Sequence, residues 1–187
     1  MDFHKRHTYI LFVFSLVTIT GIGIIYYQTR PYHFRAVEQG RLYRSGYLEP
    51  QELQKIIRKH NIRTVVNLCL PREEVYQRLA PEEATVCQQN GAEIVYIPLK
   101  GNTPPDEQQR KIWLDLIHNP EAAPILVHCA QGVMRTGIMV AIYDMEKNAR
   151  SGKEAFALLP TFGHDMMSDR RQMMRDYIFS YQPAYTK

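Results

Sequence analysis

The chain is expected to fold as an α/β domain around a largely parallel sheet flanked by helices, with one apolar helix ahead of it. Three features lead there. From Thr64 to the last third of the chain, short β-branched runs alternate with stretches of helical periodicity, the pattern of strands joined by crossover helices. A single charge-free run stands apart near the N-terminus. One strand-like run ends in a cysteine loop that opens into an apolar helix, the place where sites lie in parallel sheets.

At 187 residues the chain has room for one core and an appendage. With 45% hydrophobic and 22% charged residues and no repeat, its composition is that of a globular protein. The net charge of +4 is dispersed. No run of Lys and Arg interleaved with aromatics marks a nucleic-acid groove, so nucleic acid is not expected as a partner. Cys69, Cys87 and Cys129 form neither an even disulfide framework nor a C-x-x-C pair, which argues against a staple or a structural zinc site. None of the seven histidines falls in an H-E-x-x-H pattern, and His4, His7, His33 and His60 lack ligand spacing. No metal or cofactor is expected.

Residues 1–7 form a short tail. TYILFVFSLVTITGIGIIYY follows over residues 8–27, twenty residues without a charge, long enough as a helix to cross about 30 Å of hydrocarbon. A cleaved signal peptide would have an apolar core of about 7 to 15 residues and then a small-x-small site, whereas this run continues through Ile24, Ile25, Tyr26 and Tyr27. A buried core helix is the other competing reading, set aside because the run is apolar on every face. An uncleaved single-pass transmembrane helix is therefore expected. Basic residues prefer the cytoplasm, and Lys5 and Arg6 on one flank are outnumbered by Arg30, Arg35, Arg41 and Arg44 on the other. The count slightly favours a cytoplasmic domain, although Arg41 and Arg44 can equally belong to the fold, so the side stays open.

A linker over 28–33 leads to the domain, 34–187. FRAVEQGRLYRSG holds two extended runs around Glu38-Gln39-Gly40 and reads as a hairpin. Pro50 opens a helix in which Leu53, Ile56 and Ile57 share a face, closing at His60-Asn61. Thr64 to Leu68 is a buried strand. Pro81 with Glu82 and Glu83 has the composition of a helix first turn, and Gly91 marks that helix's end. Ile94 to Ile97 is the next strand and Lys100 to Pro105 a loop. Trp113, Leu114, Leu116 and Ile117 lie on a helix, and Pro124 to Val127 is a third apolar strand. Met173, Met174, Tyr177 and Ile178 repeat at helical spacing and are expected to pack against the sheet. His164 and Asp165 read as capping residues.

The loop His128-Cys129-Ala130-Gln131-Gly132-Val133-Met134-Arg135-Thr136-Gly137 joins the last strand to the apolar stretch Ile138 to Lys147. Five residues separate Cys129 from Arg135. That spacing lets the chain curl around a tetrahedral oxyanion, with the backbone N–H groups from Ala130 to Met134 turned inward and the helix adding its positive end. Gly132 permits a turn that a Cβ would obstruct. Arg135 can return to the same anion with a planar two-donor fork. Those donors are suited to stabilise a thiolate at Cys129 as well as a phosphate. A merely structural cysteine would leave Gly132, Arg135 and Thr136 unexplained. Cys69 and Cys87 read as core thiols, although a neighbouring thiol can capture an oxidised nucleophile. Arg72 and Lys100 follow strands and could line the pocket mouth; solvated surface charge is the simpler reading.

The motif H-C-x-x-G-x-x-R-T-G resembles the signature of the protein tyrosine phosphatase superfamily in its dual-specificity branch. LYRSG, VVNL and IVYIPL are similar to segments of the small single-domain dual-specificity-like phosphatases of bacteria, plants and fungi, and the resemblance spans about Phe34 to Tyr181. It implies the cysteine-phosphatase fold and a phosphoric monoester hydrolase working through a phosphocysteine. By that resemblance Cys129 attacks phosphorus, Arg135 holds the equatorial oxygens and Thr136 helps the thiolate leave. His128, with Gly137, supports the loop, and no metal is implied. A general acid is implied in KGNTPPDEQQ, with Asp106 the candidate and Glu107 second. Against this, Pro105-Asp106-Glu107 also has the composition of an ordinary helix start.

Relatives active on inositol pyrophosphates, and lipid-directed phosphatases, typically place lysines inside this loop, where this chain has Ala130, Gln131, Val133 and Met134. A singly phosphorylated group is therefore favoured, phosphotyrosine or phosphoserine/threonine in protein. The apolar run keeps a phosphoinositide or inositol phosphate as an alternative. A catalytically silent phosphate-reading module and a rhodanese-type sulfur transferase are the other readings, and Thr136-Gly137 after Arg135 argues for phosphate over sulfur. Oligomeric state is left open.

Overall fold

In the computed structural model, which describes residues 12–18, 20, 31–101 and 103–184, the expected hairpin opens the main unit. Arg35–Glu38 (β1) and Leu42–Ser45 (β2) pair antiparallel with a register irregularity between Ala36 and Glu38. Gly40, at φ +75, carries the turn between them in a conformation that a Cβ disfavours. Pro50–His60 (α1) begins with the proline's preset φ and ends on Asn61 in the left-handed region, as the N-terminal proline and C-terminal asparagine signals imply. Thr64–Asn67 (β3), Glu93–Tyr96 (β4) and Ile125–His128 (β5) are the remaining strands.

One helix departs from the sequence reading. Glu74–Gln89 (α2) starts well before Pro81, which lies inside it, and Glu83 is buried in its middle rather than exposed in a first turn. Proline's fixed φ is compatible with a helix, and the lost N–H costs one bond of the ladder. Val75, Tyr76 and Leu79, on the turns before Pro81, pack on the core, and that burial carries the helix through the proline. Glu107–His118 (α3), Met134–Asn148 (α4), Gly152–Ala157 (α5) and Gln172–Ser180 (α6) complete the helices.

The sheet runs β1-β2-β5-β3-β4, with β2, β5, β3 and β4 parallel and only β1 antiparallel. Alternate strand residues feed two cores. Leu42, Val66, Ile125 and Val127 face a core with Trp113, Leu114 and Ile117 of α3 and the apolar residues of α4. Tyr43, Val65 and Leu126 face a second with Leu53, Ile56 and Ile57 of α1 and Cys87 of α2. Every residue of α4 from Arg135 to Glu146 is buried, which is why that stretch is apolar on nearly all sides. The last helix, α6, buries Met174 and Ile178 and packs chiefly on α4 and α5, where the sheet had been expected. The sheet face is already covered by α3 and α4.

The chain divides into Met1–Pro31 and Tyr32–Lys187. Of the run expected to span a membrane, residues 12–18 and 20 are helical with exposed side chains, and the rest lies outside the described residues. No helix among the described residues is long and apolar enough to cross a membrane. Arg35 and Arg44 are strand residues and Arg41 belongs to the hairpin turn. Three of the four basic residues counted on the C-terminal flank therefore belong to the hairpin.

Candidate active site

Ser45, His128 and Asn67 sit side by side in register at the carboxyl ends of β2, β5 and β3. The chain leaving β5 therefore emerges between two neighbouring strand ends, and it is there that the cysteine loop forms. Cys129 is 2% exposed, and the Gly132 N–H donates to its Sγ at 3.1 Å. Gly132 has φ +69, and a Cβ there would run into Ser45 O and the Gly46 backbone. The glycine thus serves both a left-handed turn and a close approach of the loop to β2. Gly137, one turn into α4, would meet Met174 of α6 if it carried a Cβ, so its role is packing at the helix start. Cys129, Ala130, Gln131, Met134 and Arg135 line a cleft of about 410 Å³ together with Gly101 and Arg170. Thr136 is fully buried, and its hydroxyl has no partner among the described residues.

Arg135 does not present its end-on fork to the cleft. Nη1 and Nη2 donate to the two carboxylate oxygens of Glu73, the Nη2 bond being 2.9 Å, and Nη1 also reaches the carbonyls of Leu68 and Leu99 at 3.3 Å. Of five N–H donors, Nε–H and the second Nη2–H remain, the pair along the other edge. Burial opposes the Arg135 charge, yet Glu73, Cys129 and Cys69 hold its pKa above the ordinary value. Burial likewise pushes the Glu73 carboxyl up, and the Arg135 bond, the Leu70 N–H and the charges of Arg135 and Arg72 bring it below the usual range.

His128 is fixed by a second carboxylate. Its Nε2 lies 2.8 Å from Glu83 Oε1 at 2% and 3% side-chain exposure. Glu83 Oε2 accepts from Asn67 Nδ2 at 2.6 Å and from the Tyr47 hydroxyl at 3.1 Å. Burial works to raise the Glu83 carboxyl, and His128, Asn67 and Tyr47 outweigh it, leaving the pKa lowered. The cluster ties the ends of β3 and β5, the segment after β2 and the middle of α2 into one unit behind the nucleophile. Glu83, the partner of His128, lies in the middle of α2 and not at the helix start that the sequence suggests.

Behind the loop, Arg44 is 1% exposed and Nη2 donates to the Gly132 carbonyl at 2.6 Å. Burial pulls its pKa down to about 10, opposed by the charge of Cys129. His33 Nδ1 lies 2.6 Å from the Gln131 carbonyl.

Asp106 stands at the start of α3 as its cap. Its Oδ1 accepts the Gln109 N–H at 2.8 Å, and Gln109 Oε1 accepts the Asp106 N–H at 2.9 Å, a reciprocal capping box. Asp106 and Glu107 are exposed, and neither lines the cleft. The same is true of Arg72 and Lys100. Cys69 and Cys87 are buried and free, and burial raises both thiols, in keeping with core residues.

Glu73, Glu83, Arg44, His33 and Arg170 were missed as site residues. Only Glu83 carried a usable signal, for it shares the helix face of buried Leu79 and Cys87, and a carboxylate there needs a partner. The others meet the loop across long stretches of chain, with no local pattern to announce them.

Comparison with known proteins adds a family and a fold. The family described as DSP-PTPase phosphatase fused to NAD+ Kinase matches residues 29–177. An inositol diphosphatase, DSP3, of Arabidopsis thaliana is 31% identical over 115 residues, 59% of this chain and 52% of that protein. The chain spans about half the length of that curated relative. The core catalytic domain of the PP-IP phosphatase SIW14 from S. cerevisiae, in complex with citrate, is similar in structure. Its TM-score is 0.64 at 22% identity, covering 81% of this chain and 86% of that one. A variant of P. aeruginosa TpbA in complex with pTyr gives 0.59 at 18% identity, covering 81% and 91%.

Proposed function

The chain belongs to the DSP-PTPase phosphatase family, and from that premise we propose that it hydrolyses phosphate monoesters through a phosphocysteine at Cys129. The observation that carries this is the loop itself: a buried Cys129 Sγ under the Gly132 N–H, at the foot of a cleft that Arg135 also lines. In the proposed reaction the Cys129 thiolate attacks phosphorus and the P–O bond to the leaving group breaks. The loop N–H groups and the free edge of Arg135 take the equatorial oxygens. A proton from an acid goes to the leaving oxygen. Water then attacks the phosphocysteine, releasing phosphate and the thiolate, whose departure the Thr136 hydroxyl assists.

Asp106 is the proposed acid, supported by its place in the loop before α3. Its capping role makes the test selective, since Asn caps a helix about as well as Asp. Cys129→Ser is expected to abolish turnover of aryl phosphates while phosphate still binds. Asp106→Asn is expected to slow turnover about a hundredfold for a poor leaving group, and little for an activated one that needs no proton. Unchanged turnover in Cys129→Ser rejects the phosphatase reading; unchanged turnover of the poor leaving group in Asp106→Asn rejects only the acid.

The proposed substrate is a singly phosphorylated group in protein, on the uncharged loop positions Ala130, Gln131, Val133 and Met134. A second reading, an inositol diphosphate, draws on the named activities of two relatives and on Arg170. That exposed cation lies at the cleft mouth without a hydrogen bond or ion pair among the described residues. Comparing kcat/KM for a phosphotyrosine peptide and an inositol diphosphate decides between them. We further propose that residues 8–27 anchor the domain to a membrane as a single span; support comes from the length and uncharged composition of that run.

A further inference from the structure

One short stretch of chain, residues 33–47, grips the phosphate-binding loop from outside. Three successive loop carbonyls are each taken by a donor from it: Ala130 O by the Tyr47 N–H at 3.1 Å, Gln131 O by His33 Nδ1 at 2.6 Å, and Gly132 O by Arg44 Nη2 at 2.6 Å. A carbonyl only accepts, so His33 carries a proton on Nδ1 in this contact. In a planar trans peptide the C=O and the next residue's N–H point in opposite directions. Drawing the three oxygens outward therefore turns the N–H groups of Gln131, Gly132 and Val133 toward the inside of the curl. Gly132 shows the result, its N–H directed at Cys129 Sγ.

We propose that His33 is a positioning residue: by holding the Gln131 carbonyl, next to the carbonyl that Arg44 holds, it sets the direction of the loop N–H groups that bind the phosphoryl oxygens. The proposal rests on the phosphatase reading above. His33 does not line the cleft, so it acts through the loop and not on the substrate. Its ring is braced for the task, stacked between Tyr32 and Phe162 with centroids 4.1 Å away on each side. The Arg44 guanidinium lies 5.5 Å from the same Phe162 ring, so the two carbonyl donors share one support. His33 at φ 55 and Phe162 at φ 48 both occupy the left-handed region, which L side chains avoid unless their surroundings dictate it. Relaxing either backbone would take the His33 ring out of the stack and its Nδ1 away from Gln131.

Three variants of the full chain separate the donor from the backbone. His33→Asn keeps an N–H donor at about the reach of Nδ1 and tolerates the left-handed region. His33→Gly relieves the backbone and removes the donor, and His33→Ala removes the donor only. Each is read by kcat/KM on an aryl phosphate and by the dissociation constant of inorganic phosphate, with the thermal midpoint as a control for folding. His33→Gly and His33→Ala are expected to lose about tenfold in both, the worth of one lost hydrogen bond. His33→Asn is expected to stay within about threefold of the parent. A His33→Gly variant with parental phosphate affinity overturns the proposal, and so does an Asn variant that loses as much as Gly. Phosphate affinity is read without turnover, so an inactive parent that binds phosphate would sink the phosphatase reading and leave this test intact.

Discussion

Arg135 shows how a single side chain can be placed by a partner that sequence does not advertise. The five-residue spacing from Cys129 raises the expectation that its guanidinium turns back to the loop, but carries no sign that Glu73 takes the end-on fork. Two parallel bonds fix the plane of the guanidinium as well as its place. Glu73→Gln keeps the size, loses the charge and sets an amide N–H against an Arg N–H. The expected outcome is a fall in kcat of about tenfold, from lost orientation at the transition state. Phosphate affinity should stay level or rise, since a negative charge beside the site is gone. Steady-state kinetics with phosphate as competitive inhibitor read both, and an unchanged kcat would show that Glu73 does not orient Arg135.

At the scale of elements, most of the fold was legible. The hairpin, α1, β3, β4, α3 and β5 were readable because each carries a local signal: a glycine turn, a proline start, a left-handed asparagine, a β-branched run. The start of α2 was not, since Pro81 with two glutamates imitates a first turn and the burial that overrides it comes from Val75, Tyr76 and Leu79 meeting the core. The same limit applies to Asp106, where one composition serves a cap and an acid. The proposed span over residues 8–27 is an element argued from composition alone. Cells expressing the full chain should retain it in membranes after an alkaline carbonate wash, and a chain lacking residues 1–31 should not be retained. Release of the full chain by the wash would end the anchor reading.

Across the whole molecule, the pH dependence of stability should follow the buried carboxylates. The Glu83 carboxyl is lowered from its ordinary 4.5 by His128, Asn67 and Tyr47, against its burial, and Glu73 is lowered by Arg135 against its own. Folded protein therefore holds these protons less tightly than unfolded chain. Their stabilisation is complete above the ordinary carboxylate value and is lost as pH falls through the lowered one. Urea midpoints should drop between neutral pH and about pH 3.5. Glu83→Gln should cost on the order of 3 kcal/mol at neutral pH, because His128 loses its buried partner, and should show a smaller further loss on acidification. Parallel acid losses in parent and variant would exclude Glu83 as a source.

The sequence by itself determined the alternation that makes the sheet, and the loop from Cys129 to Arg135 at a strand's carboxyl end. These are short-range properties: β-branched runs, helix stops, a fixed spacing and one glycine that cannot carry a Cβ. Tertiary structure alone decided what surrounds that loop. Glu73 and Leu99 meet Arg135, Glu83 meets His128, and His33 and Arg44 meet the loop carbonyls, because β2 and β3 are hydrogen-bonded on either side of β5. Strand order is a long-range choice made by packing both faces of the sheet, and it brings together residues that no local pattern connects.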